Sequence, residues 1–143
     1  MSGWYFHYSL LTAIIAVAAF AWIKGGTPER IGATLNLLGS VLFSGLQTIM
    51  VPEALALSLL VLDGLFGVAF LILAVRYASL WLGAAMLLQA AQFSLHAFYY
   101  VTAKPVDRLF AIVNNLVSWG ILLSIVVGVI GHWLNVRHQA PAA

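Results

Sequence analysis

The sequence predicts an all-α protein, an integral membrane bundle of five transmembrane helices. Three observations carry that expectation. Of 143 residues, 64% are hydrophobic and only 7% charged, where a soluble domain carries about a quarter charged residues. The mean hydropathy is +1.06. The polar breaks recur at about the spacing of a bilayer crossing, roughly 20 residues at 1.5 Å of rise each. The most polar stretches, residues 24–30 and those after Asn135, are too short to bury a core of their own.

Residues 4–23 form the first expected span, with Trp4, Tyr5, Tyr8 and Trp22 near its ends, where amphipathic rings favour the headgroup level. No Lys or Arg precedes Lys24, so this span reads as retained rather than as a secretory signal. A turn follows at Lys24-Gly25-Gly26, then a helix start with Thr27 as N-cap, Pro28 at the first helical position and Glu29 at the positive end of the dipole. The second span is expected at 31–51 and stops at Pro52, which opens the third at 54–75. Residues 76–79 are a short turn before the fourth span, 80–101, and Lys104-Pro105 marks the next break. The fifth span covers 109–133, and residues 135–143 read as a flexible tail.

With five crossings, Lys24, Arg30, Arg76 and Arg137 fall on one side and Lys104 and Arg108 on the other. That asymmetry places the N-terminus outside and the C-terminus in the cytoplasm of a bacterial inner membrane. The ten charged side chains give a net charge of +2 and no basic patch, so no nucleic-acid partner is expected. Without cysteine there is no disulfide, thiol chemistry or thiolate metal site. No internal repeat of the inverted-transporter kind is visible.

In the fourth span, counting 100° per residue puts Gln89, Gln92, His96 and Tyr100 on one side, above Ala85. Comparing positions along each span brings Asp63, Gln89, Gln92, Asn114, Asn115, Ser40 and Ser44 into one buried polar layer near the bilayer centre. A carboxylate there costs at least about 2.5 kcal/mol, so Asp63 must face protein and be paired. Two readings compete. The layer is a proton- or cation-binding site centred on Asp63, or a hydrogen-bond network that fixes helix order. No Lys or Arg lies inside any span, so no cationic partner of matching depth is expected.

His7 and His96 share a second depth, closer to one membrane face. Two imidazoles on different helices at one level are candidate ligands for haem or, singly, a hydrogen-bond partner for a quinone. The other reading makes them interfacial anchors beside Tyr5, Tyr8, Tyr99 and Tyr100.

Small residues supply the expected packing faces. Gly32, Asn36, Ser40, Ser44 and Thr48 recur every four residues in the second span, and Gly120, Ser124 and Gly128 do so in the fifth, with Gly131 on the same side. These faces are expected to serve either internal contacts or a partner chain.

No phosphate loop, HExxH motif, nucleophile elbow or pair of carboxylates occurs. A Ser-His-Asp arrangement is not expected either, because Asp63 reads as central and His96 as nearer one face. No mid-span Lys is present for a retinal Schiff base.

The Gly25 to Arg30 turn, an Asp in the third span, and Trp81 followed by Gln89 and His96 resemble a group of small, highly hydrophobic bacterial membrane proteins with no assigned activity. The resemblance covers most of the chain and implies no site residue. The function expected from sequence is therefore a non-catalytic transmembrane subunit or assembly partner of a larger complex, in contact with lipid and with other chains or its own copies. A small oligomeric transporter or channel using Asp63 is the alternative, and a haem- or quinone-binding subunit through His7 and His96 the next. Bound lipid is the one ligand expected under each.

Overall fold

A computed structural model describes residues 2–139, with side chains from Tyr8 onward. Five helices follow one another: α1 (Ser2–Lys24), α2 (Thr27–Ile49), α3 (Pro52–Tyr77), α4 (Leu80–Val101) and α5 (Arg108–Gln139). No strand occurs among the described residues. Two helices, α3 and α5, are long and apolar enough to cross a membrane by their own composition, and α1 adds a shorter apolar stretch, Tyr8–Lys24. The expected tail is shorter than the sequence suggested, since α5 runs on through residues 135–139; residues 140–143 lie outside the described part. Its final turn carries Arg137 and His138, cations that suit the negative end of a helix dipole.

The helices close into a ring. Each packs on its neighbours in sequence, α5 returns to α1, and α2 also touches α5 across the middle. The turns decide this order. Gly26, not the expected Thr27, caps α2, because Glu29 reaches back from the third helical position to accept its backbone N–H at 2.9 Å. Pro52 opens α3 where its missing N–H costs nothing. Ala78 adopts a left-handed conformation (φ 46°) that closes α3 and lets Leu80 begin α4 after only two residues.

The tightest packing lies toward the end holding the Gly26 and Ala78 turns. Phe70, Leu82, Ile125 and Val129 are almost completely buried there, together with Ala21, Ala33 and Ala85. Alanines at helix crossings let backbones approach closely, so large side chains from α3 and α5 meet Trp81 without gaps. Outward, the reverse composition holds: Val61, Leu65, Val68 and Ile72 of α3 and Leu116, Leu123 and Val127 of α5 are more than half exposed.

Candidate functional site

Asp63, midway along α3, is paired. His96 Nδ1 on α4 donates to its Oδ2, and the Gln89 amide donates to Oδ1 at 3.3 Å. One turn from each, the Gln92 amide donates to Asn114 Oδ1 on α5. Gln89, Gln92 and His96 are all buried, and Gly67 on α3 leaves room for the Gln89 stem, 3.8 Å from where a Cβ would stand. The bonds tie α3, α4 and α5 together at one level, and each replaces a desolvated polar group with a satisfied one.

This corrects the expected separation of Asp63 from His96. The expected third span stops at 75, whereas α3 runs on to Tyr77, so depth is better read from the shared turn. Counting outward from Ala78 and Ser79, Asp63 stands opposite Ser94, flanked by Gln92 and His96. The Cα–Cβ bonds complete the approach, because side chains lean toward the N-terminus of their own helix and α3 and α4 run in opposite directions. The partner that no Lys or Arg could supply is therefore an imidazole. On the same face Tyr99, not Tyr100, is buried, one turn beyond His96.

The polar layer surrounds a cavity of about 170 Å³. Asp63, Gln89 and Gln92 line one side, Asn114, Asn115 and Ser118 of α5 a second, and Asn36, Ser40 and Ser44 of α2 a third, with Leu10, Leu11 and Ile14 of α1 completing it. The four-residue seam of α2 thus faces the interior from Gly32 to Ser44, while Thr48 is exposed. His96 is not part of the wall; it stands behind Asp63, its ring against Phe110 at 5.2 Å. The His96 Nε2 atom is buried and meets no hydrogen-bond partner among the described residues. Among the described residues no hydroxyl reaches that nitrogen. The His7 side chain lies outside the described residues, so its pairing with His96 is not on view. Among the described residues no three His or acidic groups converge as a metal site would need.

Sequence reasoning passed over two further clusters. Glu29 was expected only as a dipole partner, yet it is 5% exposed and accepts from Trp81 Nε1 at 3.2 Å as well as from Gly26. Its place three residues after Gly26 is the legible half of that signal; the distant Trp81 is not. At the opposite end Asp107 accepts the Phe110 N–H at 2.9 Å, the Tyr99 hydroxyl at 2.6 Å and Lys104 Nζ at 2.8 Å. An Asp just before α5 is a readable N-cap. The Lys104 ammonium first, then the Tyr99 hydroxyl and the Phe110 amide, hold the Asp107 carboxyl well below the usual carboxylate range, and Asp107 in turn pushes the Lys104 ammonium up.

The glycine face of α5 is spent inside the chain. A Cβ at Gly128 would stand 2.6 Å from the Trp81 indole, and one at Gly120 would stand 2.9 Å from Leu88. Gly32 of α2 meets the other edge of Trp81 at 2.9 Å, and Ser124 returns its hydroxyl to Gly120 O at 2.9 Å. Gly131 alone of the α5 set faces open space. These positions hold α4 against α2 and α5, with Gly128 buried against Trp81 and Gly120 half-buried against Leu88.

Comparison with protein-family models, with curated proteins and with solved structures finds no match to this chain.

Proposed function

We propose that the chain is a five-span inner-membrane transport protein that carries a proton on the Asp63–His96 pair. One observation carries the reading: a carboxylate hydrogen-bonded to an imidazole at the wall of a polar cavity, inside a bundle whose outer surface is apolar. Intramembrane ionisable groups of this kind mark proton and ion relays. Addition of a proton gives an imidazolium beside a carboxylate and a neutral pair; its loss leaves one negative charge facing the cavity.

The five-span arrangement draws on where the polar residues of the less apolar helices point. In α4, Gln89, Gln92 and His96 turn inward, while Leu80, Leu87 and Phe98 turn outward. In α2, Leu38, Val41 and Ile49 are exposed, alongside Thr34, Gln47 and Thr48. A soluble protein rarely exposes so much contiguous apolar surface. Lys24, Arg30, Arg76 and Arg137 would face the cytoplasm, and the Asp107 end the outside. The accessory-subunit reading loses its main surface, because Gly120 and Gly128 are occupied by Leu88 and Trp81.

The test is a displacement current. Liposomes holding the protein are adsorbed on a solid-supported membrane and stepped from alkaline to mildly acidic pH. Charge moving to a buried site gives a transient current in the wild type, and Asp63→Asn, which keeps the shape but not the charge, abolishes it. Equal currents from wild type, variant and protein-free liposomes overturn the reading.

A further inference from the structure

The cavity presents acceptors beside the amide groups of Asn36, Asn114 and Asn115. Ser40 and Ser118 give their single hydroxyl protons to helix carbonyls, to Asn36 O at 2.9 Å and Asn114 O at 2.8 Å, so each presents lone pairs to the interior. Gln92, only 8% exposed, keeps its Oε1 without a hydrogen bond from any described residue. Asp63 is the one ionisable side chain in the wall among the described residues, and no basic group joins it. An occupant is thus asked for positive charge and for N–H donors.

Three aromatic rings add a second demand. Phe43, Phe66 and Phe70 line the same cavity, and Gly39 makes space for Phe66, whose ring is 3.3 Å from where a Cβ would stand. Aromatic faces attract desolvated cations, organic ammonium groups most characteristically. Size separates an organic from an inorganic cation: the volume of about 170 Å³ is some ten times what one water needs. A bare metal ion would need oxygens converging within about 2.5 Å.

We infer that the cavity binds small organic ammonium ions, exchanged for the proton of the Asp63–His96 pair; this rests on the proton-carrying reading above. The ammonium group pairs with the Asp63 carboxylate, and the alkyl part lies among the phenylalanines. The balance is simple. Neutral pair plus cation becomes carboxylate, neutral imidazole and bound cation, with one proton released and no other reactant. Among the described residues no further titratable group intervenes: α1 presents Leu10, Leu11 and Ile14 there, and the polar groups of α2 and α5 are amides and hydroxyls. Behind His96, Phe110 screens it from Tyr99 and Asp107, with ring centroids 5.2 and 5.0 Å from those of His96 and Tyr99.

The experiment is titration calorimetry on the purified full chain in detergent, with propylammonium, 1-propanol and sodium as probes, together with a proton-release measurement in weak buffer. Propylammonium is expected to bind at least about tenfold more tightly than its neutral isostere, a difference of about 1.4 kcal/mol, and to release a proton on binding. Asp63→Asn loses both, and His96→Gln keeps the preference but loses the release. Equal binding of 1-propanol, or binding of sodium in place of propylammonium, or binding of none of the three, overturns the inference. A clear ammonium preference without proton release supports this ligand class and removes the proton-carrying reading instead. Should Asp63→Asn fail to fold, competition in the wild type decides: the affinity for propylammonium falls about tenfold for each unit of acidification if the two cations share one site.

Discussion

The two ends of this bundle use the same five helices in opposite ways. Toward the Gly25 and Ala78 turns, Trp81 fills the space left by Gly32 and Gly128, and its indole N–H satisfies the buried Glu29. Toward the Asp107 turn the residues that meet across the bundle are amides, hydroxyls, Asp63 and His96, and a cavity remains between them. The difference teaches where rigidity and chemistry reside. Close packing leaves no volume for a ligand, whereas a polar layer whose members bond to one another leaves both room and unused lone pairs.

Adding bulk to the packed end gives the sharpest test of that contrast. Gly128→Leu drives a side chain into Trp81, so the thermal transition is expected to fall by about 3 kcal/mol or more, the upper range of overpacking costs. Gly131→Leu, with nothing within 4 Å of where its Cβ would stand, stays within about 0.5 kcal/mol. Equal loss at both positions would erase the distinction between an internal and an outward glycine.

Removing one atom comes next. Trp81→Phe keeps the ring packing but leaves Glu29 Oε1 buried without its donor. The expected cost in denaturant unfolding is about 2 kcal/mol, the penalty of an orphaned acceptor that carries charge. The double variant Trp81→Phe with Glu29→Gln should regain part of it.

The open end should tolerate what the packed end does not. Asp63→Asn is expected to change thermal stability by no more than about 1 kcal/mol, since the amide still fits among Gln89 and His96, while abolishing the displacement current. A large loss of stability would move Asp63 from the site to the scaffold.

The smallest effect concerns pH. Because Lys104, Tyr99 and the Phe110 amide hold Asp107 below the ordinary carboxylate value, this carboxylate stabilises the folded state in full above roughly pH 4 and loses that contribution as pH falls toward its folded value. Asp107→Asn should therefore flatten the acid limb of the stability profile and leave its neutral part lower. Lys104, shifted upward by the same pair, contributes below its ordinary value and loses that contribution only in strong base. Unfolding curves recorded across acidic pH for the two proteins check the sign.

Local patterns determined the helices. Pro52, the Gly25-Gly26 pair, the turn at 76–79 and Lys104-Pro105 interrupt apolar runs, so element order and approximate bounds follow from residues a few positions apart. The inward face of α4 was legible for the same reason, up to the choice between Tyr99 and Tyr100. Tertiary structure alone decided the partners. That Asp63 meets His96, that Glu29 meets Trp81, and that Gly128 is filled from within are contacts between helices, set by the register of the turns and the opposite lean of side chains on antiparallel neighbours. Such contacts depend on the relative placement of two helices, and a single sequence records that placement only through the length of the turn between them.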